Sequence, residues 1–477
     1  MNSFATALRA DLRGTSYPAI AGITAACIGV AYSAVQWPWV VTGLVFGAIV
    51  LLVVIAEPLA LVAFMLASGP ADLSFVTGGF KSLFTAAGGL DMNGIRLLGV
   101  VGGFLVLFLV EPRVQRQVFS RDSRWYVLFL LWAGATLAMT LSPVDGLRLL
   151  LKLAYPLITF VMVAALVDRK EQLERLLRYT LVAAVIIVLI NPLFVLGGGY
   201  DTDDAGFRRI GGLGTYANPF SFYLLVILLI SFGRFIVRGQ LRYLVLCVPL
   251  GVWIYLTLTR ITLLALFAGI AVMVLYAALA GRHYRAIAGA VLVAIAVGIP
   301  IVPSVLERSL GFIPTPTELA ALMRSPSTFY ESVNWQGRDV IWPIVYGSAS
   351  GQPLTGIGLG SSSVVMRQNF PPQVGDVVHN EYLRLFSETG LIGMGLFFLA
   401  MLRWTVTVAR TGWQASPRVR EFALPALAAI VSWACIAITD NAFDYYAAFT
   451  QYVGFLCAGT VVAARLSAGE RDERLPA

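Results

Sequence analysis

WVVTGLVFGAIVLLVVIAEPLALVAFMLAS, residues 39–68, is a continuous apolar run interrupted only by Glu57-Pro58. About 20 apolar residues suffice for one helix across a bilayer, so the run reads either as one long helix or as two short ones. The choice sets the side of every later loop. Stretches of the same kind recur at about 17–35, 39–56, 58–75, 93–110, 125–141, 147–167, 179–197, 219–237, 243–259, 261–280, 286–303, 383–404, 422–440 and 446–465. With two helices in 39–68, the clusters Arg113/Arg116/Arg121/Arg124, Arg169/Lys170/Arg175/Arg178, Arg238/Arg242, Arg282/Arg285 and Arg410/Arg418/Arg420 share the side of Arg9/Arg12. Basic loops gather on the cytoplasmic face. One helix would put the amino terminus opposite all of them. The expectation is an all-α polytopic membrane bundle of about 12–14 spans, both termini cytoplasmic.

The composition leaves little else. Of 477 residues, 58% are hydrophobic and 13% charged, too few polar groups to cover a soluble fold of this size. The net charge of +8 comes without a basic block interleaved with aromatics, so no nucleic-acid partner is expected, and anionic lipid explains the excess. Cys27, Cys247, Cys435 and Cys457 lie in apolar runs without CxxC spacing, which speaks against disulfides and zinc. The first span lacks a clean cleavage site and reads as a retained helix. The chain divides into spans over 1–303, one long non-membrane stretch over 304–382, three spans over 383–465 and a tail over 466–477. The long stretch carries Phe329, Tyr330, Trp335, Trp342 and Phe370 among Pro and Gly, the makings of an ordered cap rather than a linker.

Parity gathers the remaining polar residues on the outer side. The loop GGGYDTDDAGFRRIGGLGTYANP (197–219) holds Arg208 and Arg209; the hairpin LTLTRITLL (256–264) holds Arg260; the long stretch holds Arg308, Arg324, Arg338, Arg367 and His379. An arginine at a span's centre costs about 2.5–3.5 kcal/mol on insertion scales and usually pairs or binds something. Guanidinium forks fit phosphate oxygens, so a lipid-linked phosphate or pyrophosphate suits such a cluster. Salt bridges account for the same residues without a ligand. Arg260 has Asp203 or Asp440 within reach of the idea, Arg208/Arg209 have Asp201/Asp203/Asp204, and Arg338 has Asp339 or a loop carbonyl. His283, in GRHYR, reads as a solvated residue of a basic loop. His379 stands where the long stretch meets the next span; a histidine there can take a proton from a hydroxyl, with Asn380 or Glu381 orienting the ring, or it can serve as a structural cap. No Gly-rich phosphate loop, GxSxG or HExxH is present, and D201-T-D203 is a weak metal motif.

The order of motifs from about 205 to 400 resembles the O-antigen ligase and polymerase superfamily. The matching residues are Gly337-Arg338 with Trp342, Pro353-Leu354-Thr355-Gly356-Ile357-Gly358, His379-Asn380 with Leu383, and Glu388-Thr389-Gly390-Leu391-Ile392-Gly393. Upstream, Arg209-Ile-Gly-Gly with Asn218-Pro219 and the hairpin Thr259-Arg260-Ile-Thr also look like the family, Thr259 standing where Ser is commoner. The resemblance implies a GT-C-like membrane glycosyltransferase whose donor is an undecaprenyl-pyrophosphate-linked glycan at the periplasmic face. It implies that Arg209, Arg260 and Arg338 hold the pyrophosphate, that His379 activates or positions the acceptor hydroxyl, and that Asn380, Glu381 and Glu388 support it. It implies inverting transfer without metal or other cofactor, and a chain-length regulator as a possible partner. Polymerisation of O-antigen or exopolysaccharide repeats is the favoured reaction; ligation to lipid A–core is the alternative, with protein glycosylation third. A flippase or other transporter is the contrasting class, but its polar residues belong near the midplane.

Overall fold

Glu57 leaves the helical region at φ −146°, ψ 80°, and a new helix begins at Pro58, so the run 39–68 is broken where its single charge stands. The computed structural model describes residues 56–69, 92–196, 200–202, 208–212, 216–279, 287, 289–290, 307, 310, 314–332, 334–335, 337–371, 374–413 and 415–472. The expected spans at 17–35 and 286–303 lie almost wholly outside these residues, as does most of 39–56.

The helices are α1 (Pro58–Ser68), α2 (Met92–Val110), α3 (Pro112–Val118), α4 (Arg124–Thr136), α5 (Pro143–Leu166), α6 (Lys170–Leu196), α7 (Ala217–Arg238), α8 (Leu241–Leu256) and α9 (Arg260–Leu279). After the long stretch, α10 (Pro316–Arg324), α11 (Pro326–Ser332), α12 (Arg338–Ala349) and α13 (Ser361–Asn369) lead to α14 (Glu381–Gly412), α15 (Pro417–Thr439) and α16 (Gln451–Asp472). A ribbon of two three-residue strands, Tyr200–Thr202 and Arg208–Ile210, pairs Asp201 with Arg209. Among the described residues, seven helices are long and apolar enough to cross a membrane, or eight if α2 and α3, bent by 107°, form one span. Shorter apolar helices at Pro58–Ser68, Arg124–Met139 and Leu241–Leu256 fall on three further expected spans. The chain is an all-helical, multi-pass membrane protein.

Position in the bundle follows apolarity. In α7, 94% of the spanning window is buried against 22% in α6, so α7 is central and α6 peripheral. A helix apolar all round can only be a core helix or a lone span. Apolar burial does not drive helix pairing in lipid, where packing and interhelical hydrogen bonds do that work. Ser221 on α7 bonds Thr262 on α9 at 2.7 Å, Ser432 on α15 donates to the Ala265 carbonyl on α9 at 2.8 Å, and Tyr382 on α14 reaches Ala434 on α15 at 2.9 Å. At one end, ion pairs tie the basic clusters together: Arg113 to Asp168, Arg238 to Glu421 and Arg403 to Asp122.

The long stretch is fastened over the opposite end. Ile341, Val345, Met366 and Val378 form a small core with Trp342, Phe370 and Leu383. Helix α14 is broken at Gly390 (φ 67°, ψ −173°), and the turn 353–358 inserts into the break. Leu391 N–H donates to Pro353 O (2.9 Å) and Ile392 N–H to Leu354 O (3.2 Å), while Ile357 N–H donates to Ser387 O (2.8 Å). The P-L-T-G-I-G and E-T-G motifs are thus two halves of one joint. Backbone groups freed by the break must find partners, since none can stay bare in lipid. Glu388 completes the joint: its carboxylate accepts from Gly360 N–H (2.9 Å) and from the N–H and hydroxyl of Ser362. A Cβ on Gly390 would stand 2.1 Å from Leu354 O in a backbone conformation that L side chains avoid. Gly390→Ala is therefore expected to destabilise the protein by about 2–4 kcal/mol, combining left-handed strain with overpacking. A melt of the purified protein in detergent reads this out; an unchanged midpoint would mean the turn is seated elsewhere.

Candidate active site

Two chain reversals prepare the site. Among the described residues, the non-glycine residues with positive φ are Leu258 (51°) and His379 (55°). Such strain costs on the order of 1–3 kcal/mol and persists only where neighbours over-determine it. Leu258 lies in the α8–α9 turn, one residue before Thr259-Arg260. His379 lies one residue before the start of α14's cap, and it is held from both sides. Trp342 Nε1–H donates to Val378 O (3.1 Å), and Asn380 N–H donates to the Asn441 side chain (3.1 Å). The Asn380 side chain caps α14, its Oδ1 accepting from Leu383 N–H (2.9 Å). The H-N-x-x-L motif is a helix cap that projects its histidine.

The ring meets an aspartate from the far end of α15. His379 Nδ1 lies 3.5 Å from Asp440 Oδ1; the histidine side chain is 34% exposed and the aspartate 2%. The contact is loose, as catalytic contacts often are before substrate tightens them. Asp440 is a junction. Its Oδ1 accepts from Asn441 N–H (2.9 Å) and Tyr445 O–H (3.1 Å), and its Oδ2 from Asn218 Nδ2–H (2.9 Å). Asn218 in turn accepts from Arg209 Nη2–H at 2.5 Å, and the same nitrogen donates to Thr259 Oγ1 at 2.8 Å. Arg209 Nε–H donates to Thr257 O at 3.1 Å. Arg260 follows Thr259 directly and opens α9 at this turn. From the cap, Arg338 Nη1–H donates to Trp335 O (3.1 Å) and Nη2–H to Thr439 O (3.3 Å), beside Asp440. Burial pulls the Arg338 guanidinium below the usual arginine range, and the Asp440 charge opposes this.

Arg209, Arg338 and His379, expected together with Arg260, are thus brought around Asp440, and Arg260 opens α9 at the same end, directly after Thr259. Asn380 shapes the backbone beside the histidine but does not face the ring. Glu381 turns away: fully buried, it forks with Arg384 (2.9 and 2.7 Å) and accepts from Phe443 N–H (2.9 Å). Glu388 serves the joint described above. Arg338 finds loop carbonyls, one of the alternatives open to it. Arg367 pairs with Asp145 (2.6 Å) and Asp376 (2.9 Å), pinning α13 to α5. Asp203, Asp204, His283, Arg308 and the Arg208 side chain fall outside the described residues. The residues that sequence reading passed over are Asn441, Tyr445 and the role of Asp440, named only as a salt-bridge partner for Arg260. Their signal is DNAFDYY, a polar interruption between the last two spans on the side parity assigns to His379. The chain there leaves α15 through an extended Asp440, makes a 3-10 turn over Ala442–Tyr445 and a π turn over Tyr446–Thr450 before α16 begins. Single π turns favour functional sites.

The arrangement can hold an anionic group on guanidinium forks and take a proton with a carboxylate-backed imidazole. Residues 243–398 match the family model described as O-Antigen ligase, covering α8, α9, the cap and the first half of α14. No curated protein matches the chain. The match contains Arg260, Arg338, His379, Glu388 and Gly390; Arg209, Asn218 and Asp440 lie outside it and reach the same site only through the fold.

Proposed function

We propose that this chain, a multi-pass membrane protein whose residues 243–398 carry the O-antigen ligase domain, is a glycosyltransferase acting on lipid-pyrophosphate-linked oligosaccharides. The observation that carries the reading is the His379–Asp440 pair, with Arg209 linked to it through Asn218 and Arg338 beside it, at the end of the bundle where Arg260 opens α9. With Nδ1–H directed at Asp440, the neutral ring offers Nε2 as a base. Nε2 takes the proton of the acceptor hydroxyl as its oxygen attacks the anomeric carbon of the donor. The bond to pyrophosphate breaks in the same displacement, the configuration inverts, and the departing pair of electrons stays on a phosphate oxygen facing the arginines. Preorganised cations aimed at charge that develops in the transition state are the largest usual source of such acceleration. The basic clusters at the opposite end support a periplasmic site with both termini cytoplasmic.

The reaction we favour is polymerisation, in which a second undecaprenyl-linked repeat is the acceptor and a chain-length regulator is a fitting partner. The description of the matching family favours a second reading, ligation to lipid A–core. A transporter fits less well, since the arginines crowd one end. Purified protein in nanodiscs with a lipid-pyrophosphate-linked repeat as sole substrate decides among these. A ladder of lengthening products on a gel supports polymerisation; product only after lipid A–core is added supports ligation; none with either acceptor defeats the proposal.

Arg260→Lys is expected to lower the transfer rate about ten- to a hundredfold, because an ammonium cannot replace a bidentate fork on pyrophosphate. Initial rates in the same assay check it, and wild-type turnover would reduce Arg260 to a membrane anchor.

A further inference from the structure

Three cations stand inside apolar helices on the face of the 440–446 turn that meets α5 rather than α7. They are Arg96 on α2 and Arg148 and Lys152 on α5. Arg96 Nη1–H donates to Ser68 O at 2.7 Å, and the two cations of α5 stand in its first three turns, where a cation at the edge of a span pairs or binds something. Lys152 Nζ lies 2.6 Å from Asp444 Oδ1, whose other oxygen takes Arg384 at 2.9 Å; Arg384 also forks with Glu381. Lys152, Arg384, Asp444 and Glu381 balance one another. Arg148, one turn nearer the bundle's end, is less well served: its side chain is 54% exposed and 4.0 Å from Asp145, which already holds Arg367 and Ser142. One turn deeper, Tyr155 is fully buried and its hydroxyl has no hydrogen-bond partner among the described residues. Its ring packs 4.8 Å from Tyr446, and the Arg96 guanidinium lies 6.0 Å from the Tyr446 ring centre. Lys152 is 30% exposed and Asp444 25%, so the column opens to its surroundings beside the turn that supplies Asp440.

We propose that Arg148 and Lys152 seat the phosphate of the acceptor lipid. The inference rests on the transfer reaction proposed above. Arg209 approaches Asp440 through Asn218 and bonds Thr259 in the turn that opens on Arg260, which assigns the leaving pyrophosphate to the α7–α9 side. Displacement with inversion brings the acceptor oxygen in from the opposite side of the anomeric carbon. Across the 440–446 turn that side is lined by α5. An acceptor carried on a lipid places its own phosphate at headgroup depth, the level of the first turns of α5. The shared chemistry is a lipid-borne phosphate, whether on a polyprenyl chain or on lipid A.

The test uses the full-length protein in nanodiscs and a donor whose terminal hydroxyl is O-methylated, so that it cannot accept. Acceptors are the same repeat unit on polyprenyl pyrophosphate, the repeat unit free of lipid, and lipid A–core. Wild type is expected to prefer its lipid-borne acceptor over the lipid-free one by at least about tenfold, the worth of one charge-assisted hydrogen bond. In Arg148→Gln/Lys152→Gln this ratio should fall to about one. Whichever lipid acceptor shows the preference identifies the phosphate's source. A ratio that survives the double substitution, or rates that fall in parallel for all acceptors, would overturn the proposal. Native mass spectrometry with a short polyprenyl monophosphate gives an answer without turnover: two lipids on wild type, one on Arg148→Gln/Lys152→Gln and one on Arg209→Gln/Arg260→Gln. A single lipid on wild type sinks the second seat, whereas absence of transfer with two lipids bound sinks only the reaction.

Discussion

His379→Ala is expected to reduce glycan transfer by about 10²–10⁴-fold, the usual worth of a positioned general base, while the protein inserts and accumulates normally. The side chain is partly exposed and its one polar contact among the described residues is the 3.5 Å approach to Asp440, so its removal breaks little of the fold. The substitution also leaves the cap of α14 intact, because that cap is made by Asn380 and not by the ring. Stability and activity should therefore separate. Single-turnover transfer measured alongside the thermal midpoint checks both, and full activity in the variant would remove the base from the mechanism. Residual transfer is expected to reflect binding and the arginines alone, and so to fall further when Arg260 is also changed.

Asp440→Asn is expected to cost about a hundredfold in rate with little change in donor affinity. The amide keeps the shape of the junction but offers His379 one weaker acceptor in place of a carboxylate, so the ring loses the partner that holds it and would steady its charge. Asp440→Ala goes further: Asn218 and Tyr445 each lose the acceptor they reach at 2.9 and 3.1 Å. An abandoned buried donor costs about 1–3 kcal/mol; the asparagine variant, with one acceptor oxygen, abandons Asn218 alone and the alanine variant abandons both, so alanine should lose the more stability. Rates and melting midpoints of the pair decide. Wild-type turnover in Asp440→Asn would mean that the carboxylate only props the turn.

How far the sequence carries can be seen residue by residue. Apolar length places helices on the expected spans wherever the structure describes them, because backbone satisfaction in lipid admits little else. It locates the break at Glu57 but not the bend of 107° between α2 and α3. The cations and His379 are legible as outliers, since charge is rare in such a chain. What pairs with them is not. Asp440 is 61 residues from His379 and Asn218 is 222 from Asp440, separations across which no local pattern operates. Glu381, adjacent in sequence to the histidine's cap, faces Arg384 because the first turn of α14 rotates it into the bundle. The glycine motifs are visible as spacing, yet only the fold shows that one supplies the gap and the other fills it.

The joint at Gly390 also orders events in time. The turn 353–358 is held by Ser387, Glu388, Leu391 and Ile392, all later in the chain, whereas residues 359–367 also meet Thr140, Leu141 and Asp145, which precede them. A ribosome delivers the turn before any of its later anchors exists. Residues 359–367 can meet α5 as soon as they emerge, but the turn 353–358 has no seat until α14 forms. A nascent chain arrested before α14 would carry Arg209, Arg260 and Arg338 but neither Glu388 nor the gap at Gly390, which makes formation of α14 the step that completes the joint.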